Sequence, residues 1–72
     1  MVTAEKFRQP YYNLKIIMER KGITQKQMAD LIGISLNAFN LKVNRANGRD
    51  FDLSEADEIA KILEIKIDDF FN

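Results

Sequence analysis

The stretch that decides the fold runs from Thr24 to Asn44, TQKQMADLIGISLNAFNLKVN. Thr24 and Gln27 stand at the N-cap and N3 spacing of a capping box, in which two otherwise unpaired backbone donors are satisfied, so a helix should open at Gln25. Within it Met28, Ala29 and Ile32 fall on one face, and Gln25, Lys26, Gln27 and Asp30 on the other. Gly33 interrupts the pattern where a helix C-terminus favours a residue that accepts positive φ. Ile34 follows as an apolar plug, and Ser35 can cap a second helix from Leu36 to about Asn44. Two short helices joined by a glycine-containing turn of three or four residues make a helix-turn-helix unit.

Toward the N-terminus, Gly22 should end a preceding helix whose last turn carries Arg20 and Lys21, cations suited to the negative end of a helix dipole. That helix, Tyr11 to Arg20, puts Tyr11, Leu14, Ile17 and Met18 on one stripe and leaves Lys15, Glu19 and Arg20 off it. Pro10 suits its first turn and separates it from a lead-in of residues 1 to 9, where Thr3 to Arg8 can form a single helical turn. Tyr12 and Ile16 form an i, i+4 apolar pair on the far side. Two readings of this pair stay open: packing against Phe7 of the lead-in, or contact with a second copy of the chain.

Toward the C-terminus, Arg45 to Asp50 form a polar loop in which Asn47-Gly48 signals a turn. Asp52 and Glu55 make a second capping-box pair, and the helix they open is expected to bury Leu53, Ala56, Ile59, Ala60 and Leu63. Ile67 and Phe70 should reach the core and leave Phe71 as the exposed ring. No linker, low-complexity tract or internal repeat interrupts the chain. The expected architecture is all-α, five short helices forming one domain over residues 1–72 with the helix-turn-helix at its centre.

These residues carry a family resemblance. The order Gln25, Ala29, Gly33, Ile34, Phe39 resembles the helix-turn-helix of the lambda-repressor and Cro-like family of phage and bacterial regulators. Ala29 matches the small residue that lets the two helices approach, Gly33 the turn, and Phe39 the core anchor of the second helix. Leu14 and Ile17 ahead of Gly22-Ile23-Thr24-Gln25 are similar to the family's first helix. Phe51 to Ala56, Ile59 to Leu63 and Ile67 to Phe71 are similar to its closing helices. The likeness covers roughly residues 13 to 71, and several separate anchors fall in order. The chain departs from the pattern at Glu64, where a helix-ending Gly is common, at Lys66, where a Ser or Thr cap is expected, and at Lys42, where an apolar residue is common.

Composition narrows the function. Seventy-two residues make one small core and no cleft between two domains. The chain has no cysteine, hence no disulfide or thiolate metal site, which fits a reducing cytoplasm. It has no histidine, the commonest general base and metal ligand. Neither an enzyme, a cofactor, a metal nor a small-molecule ligand is therefore expected; the carboxylates from Asp52 to Glu58 and at Asp68 and Asp69 read as helix caps and solvated acids with no nucleophile beside them. No apolar run is long enough to span a membrane, and the opening residues lack the apolar core of a signal peptide.

Net charge is zero, but it is divided. Residues 1 to 49 hold 9 basic and 3 acidic side chains, net +6, and residues 50 to 72 hold 2 basic and 8 acidic, net −6. The basic half is the half that contains the helix-turn-helix, which points to an anionic partner; the competing reading is that the two halves attract each other.

Function then falls to the outward face of the third helix. Asn37, Asn40, Leu41 and Asn44 lie at i, i+3, i+4 and i+7, a stripe opposite Phe39 and Val43 that is expected to face the major groove of double-stranded DNA. An asparagine amide can pair with both N6 and N7 of adenine, and a leucine methyl can pack on that of thymine, so the stripe suits A·T pairs. The resemblance adds Ser35 and Leu36 as base-facing positions and Gln25 as a phosphate grip, at a helix N-terminus that favours an anion. Lys26, Lys42 and Arg45 are expected to hold phosphates on either side, with Arg49 in the same cationic group. By resemblance the protein would act as a homodimer on two-fold operators. The leucines leave an alternative: Leu36 turns into the core, or Leu36 and Leu41 are exposed and read thymine methyls or a partner protein, as in a protein-interaction module on the same scaffold.

Overall fold

The computed structural model describes residues 9–71; the expected turn over residues 3–8 and the partner role given to Phe7 lie outside them. Four α-helices, α1 (Tyr12–Lys21), α2 (Gln25–Ile32), α3 (Leu36–Val43) and α4 (Leu53–Leu63), are joined by short connections. One-turn 3-10 segments follow at Ala46–Gly48 and Ile67–Asp69. The expected fifth helix is thus a single turn, in which Phe70 N and Phe71 N both donate to the carbonyl of Ile67. No strand occurs among the described residues, and none of their helices is long and apolar enough to cross a membrane.

The local signals act where the sequence puts them. Thr24 Oγ1 accepts from Gln27 N at 3.1 Å while Gln27 Oε1 accepts from Thr24 N at 2.9 Å, which opens α2 at Gln25. Ser35 Oγ accepts from Ala38 N at 3.0 Å and opens α3. Asp52 and Glu55 close the second box around the start of α4. Between α2 and α3, Gly33 turns left-handed at φ 78°, so that Ile34 N reaches back to the carbonyl of Ala29 at 3.0 Å. This one left-handed residue reverses the chain within the space that a close α2–α3 approach allows, and Ala29, wholly buried, is small enough not to hold the helices apart.

The end of α4 repeats the device without glycine. Glu64 takes φ 57°, and Ile65 N donates to the carbonyl of Ala60 at 3.0 Å. A side chain in this conformation costs about 1–2 kcal/mol in contact between Cβ and the following carbonyl. Glu64 is exposed, so nothing else is lost with its side chain. Glu64→Gly is expected to stabilise the protein by about 0.5–1 kcal/mol after the extra entropy of an unfolded glycine, which thermal melting would show as a Tm increase of roughly 2–8 °C. A lower Tm would mean that the turn is held by something other than its backbone bonds.

α2 packs on α3 and α4, and α1 on α4, around one core. Leu14 and Met18, Met28 and Ala29, Phe39 and Val43, and Ile59 and Leu63 meet there from α1, α2, α3 and α4 in turn. Two apolar expectations fail at the edge of this core. Leu53 is 68% exposed, while Phe51, one residue before the Asp52 cap, turns inward beside the rings of Tyr11 and Phe39; Leu53 is left on the margin of the stripe in the first turn. Phe71 is half-buried rather than exposed, stacked 6.0 Å from the ring of Tyr11. Tyr12 and Ile16 are 55% and 45% exposed.

Candidate nucleic-acid interface

With Phe39 and Val43 fully buried, the rotation of α3 about its axis is fixed, and the opposite side must face solvent. Asn37 and Asn40 are exposed there. Ser35 and Leu36, at the start of the helix, are exposed as well, and Leu36 at 45% does not turn into the core. Leu41 is half-buried on the flank. Asn40 Nδ2 donates to Gln25 Oε1 at 3.3 Å, which brings the first residue of α2 against the middle of α3. The amide oxygen of Asn40 and the amide nitrogen of Gln25 remain directed away from that bond, a donor and an acceptor side by side on two helices.

Asn44 belongs to the same stripe but not to the same surface. It caps α3, its Nδ2 donates to the carbonyl of Asn40 at 2.9 Å, and its Oδ1 accepts from Lys15 Nζ at 2.7 Å. Both ends of its amide, which was expected at a base, thus have partners within the chain. Its partner Lys15 was legible only as a residue off the core stripe of α1. It places a cation at the C-terminal end of α3, where the helix dipole favours one. Lys15 also lines a shallow groove of about 450 Å³ together with Glu19, Thr24 and Gln25. The signal that would have found it is tertiary: α1 has to be laid across the end of α3 before the two residues meet.

The cations assigned to phosphate divide sharply. Lys26 is 71% exposed and makes a loose i, i+4 pair with Asp30 at 3.6 Å, while Arg49 is exposed on the loop. Gln25, half-buried, opens α2, where the first backbone N–H groups of a helix have no partner within it. Lys42 and Arg45 are different. Lys42 Nζ lies 2.6 Å from Glu55 Oε2, with side chains 19% and 15% exposed. The Arg45 guanidinium lies 4.0 Å over the ring of Tyr11, donates from Nη2 to the Tyr11 hydroxyl at 2.8 Å, and sits with Nε 3.4 Å from Asp50 Oδ2. The Tyr11 hydroxyl in turn donates to Asp50 Oδ1, which also accepts from Phe51 N at 2.7 Å. Burial first, and then the hydrogen bond to the Asp50 carboxylate, push the Tyr11 phenol up to about 12.

Lys42 and Arg45, both expected at phosphate, are thus each paired within the fold. Their acids, Glu55 and Asp50, come from the acidic half of the chain, so the attraction between halves is realised at these two pairs. The remaining carboxylates that drew attention in the sequence include two caps: Asp52 Oδ1 accepts from Glu55 N, and Asp69 Oδ2 from Lys66 N at 3.0 Å.

A family model described as the Cro/C1-type HTH DNA-binding domain matches residues 13–72. No curated protein matches the chain.

Proposed function

The chain belongs to the Cro/C1-type helix-turn-helix DNA-binding domain family, and on that premise we propose that it is a small phage or bacterial transcriptional regulator, repressor-like, that reads double-stranded DNA sequence through α3. The observation that carries this reading is the exposure of Asn37 and Asn40 opposite the buried Phe39 and Val43, with Gln25 of α2 bonded to Asn40. An α-helix so presented fits the major groove, and its amides match the donor and acceptor pattern of adenine. Ser35, Leu36 and Leu41 flank these amides, the leucines offering methyl contacts and Ser35 a hydroxyl. Gln25 and Lys26 at the start of α2 hold one phosphate run, assisted by Lys15 from the adjoining groove. Arg49 holds phosphate on the other side. We read residues 1–72 as one domain, acting in the cytoplasm, and a homodimer would place two copies of α3 roughly 34 Å apart on a two-fold site.

Selection from a random duplex library tests this reading, because it asks for binding and reports the site at once. The expected product is a site with A·T pairs at its contacted positions, and a palindrome would reveal a dimer. The exposed Leu36 favours a second reading, a protein-interaction module using the apolar side of α3. The two part on salt. Three cationic phosphate contacts, Lys15, Lys26 and Arg49, predict that affinity for random duplex drops roughly 40-fold between about 50 and 200 mM salt. Absence of duplex binding at the lower salt favours the protein partner.

A further inference from the structure

Lys42 is a cation on the helix that reads DNA, and it points away from it. Two residues from Asn40, it lies about 200° around the axis of α3 from the exposed amides. Its ammonium meets Glu55 at 2.6 Å in a place where both side chains are largely shielded from water. The same carboxylate serves a second helix end: Glu55 Oε1 accepts from Asp52 N at 3.0 Å and closes the capping box of α4, while Oε2 takes Lys42. One side chain thus ties the start of α4 to the back of α3.

The box itself does not require that charge. In the other box of this chain the N3 residue is the neutral Gln27, which accepts from Thr24 N at 2.9 Å in the same geometry. A carboxylate at position 55 adds something for the α4 dipole, but its distinguishing partner is Lys42. A phosphate that drew Lys42 away would leave Glu55 shielded from water and without its counter-charge, which is strongly unfavourable. The pair is also poorly screened by salt, because it is not open to solvent.

We infer that Lys42 and Glu55 form a latch that sets the position of α3 for base reading, so that both are positioning residues and neither is a phosphate ligand. This rests on the reading of α3 as a DNA-recognition helix. Behind the helix, the latch fixes how far the exposed amides project; the Asn44–Lys15 bond does the same at its C-terminal end.

The test is the double variant Lys42→Met with Glu55→Gln. It removes both charges, leaves net charge unchanged, keeps an apolar stem at position 42 and keeps an acceptor for the α4 cap. Its affinity is measured by fluorescence anisotropy on the duplex selected with the wild-type chain and on a random duplex, across a salt series, with circular dichroism to establish folding. The latch predicts that affinity for the selected duplex falls about 5- to 10-fold while random-duplex affinity and the salt slope stay as in wild type. A salt slope flatter by about 0.9, with equal losses on both duplexes, would show instead that Lys42 touches phosphate. Unchanged affinity on both duplexes would reduce the pair to a stabilising contact. Either result overturns the inference. Should the double variant not fold, Glu55→Gln alone must lower affinity for the selected duplex and leave random-duplex affinity unchanged; equal or no change on both duplexes overturns the inference. A wild-type chain that binds no duplex is a separate result: it removes the DNA-reading proposal, and the latch with it.

Discussion

Phe39→Ala is expected to remove about 3–5 kcal/mol of folding stability, most of what holds a domain of this size together. Phe39 is fully buried in the centre of α3, with its ring 5.3 Å from that of Phe51, so truncation leaves a cavity beside the Phe51 ring. A core this small has few other side chains that can shift into the space. Urea denaturation followed by circular dichroism should place the variant close to its unfolding midpoint without denaturant. Leu36→Ala, on the same helix but 45% exposed, should by contrast change stability by no more than about 0.5 kcal/mol. A Phe39→Ala protein as stable as Leu36→Ala would mean that α3 is not anchored as described, and the direction of its exposed face would be unfounded.

The second large effect belongs to Asp50, outside the face proposed to read DNA. Asp50→Ala takes away the acceptor of the Tyr11 hydroxyl, a counter-charge of Arg45 and the acceptor of Phe51 N in one step. Arg45 is only 14% exposed in its side chain, so its guanidinium is left with much less compensation than before. The expected loss is about 3 kcal/mol by the same denaturation measurement. The Tyr11 phenol provides an independent readout of this cluster. Its folded pKa, about 12, lies above the ordinary value of 10.0, so its contribution is fully present below pH 10 and is lost as pH rises toward 12. Wild-type stability should therefore decline across that window, and the decline should shrink in Asp50→Ala, since both the hydrogen bond and the charge of Asp50, which raise the value, are gone. A pH-independent wild-type curve between 10 and 12 would contradict the buried hydrogen-bonded phenol.

Those two residues also mark where the sequence stops being readable. The capping boxes at Thr24 and Asp52, the Ser35 cap and the Gly33 turn are local chemistry, complete within a few residues, and they place α2, α3 and α4 directly. The stripe of α3 follows from the same periodicity once Phe39 is its anchor. Longer-range pairing was not legible. Nothing near Lys42 or Arg45 in the chain says that each is held by an acid 13 and 5 positions away, or that Lys15 and Asn44 meet across 29 residues. The charge division was correctly seen, but part of it is spent holding the basic half to the acidic half. Leu53 shows the limit of periodicity at a helix start: the stripe includes it, yet Phe51 before the cap reaches the core first.

The surface proposed for DNA is centred on Asn37 and Asn40 and flanked by Gln25, Lys26, Lys15 and Arg49. Its central claim is that the Asn40 amide reads a base. The direct measurement is the affinity of wild type and Asn40→Ala for the selected duplex, for each single base-pair substitution within it, and for random duplex. Discrimination should drop by about 1–3 kcal/mol at one A·T position and stay intact at the others, with random-duplex affinity unchanged. Equal losses on the selected and random duplexes would show that α3 does not read bases through this residue.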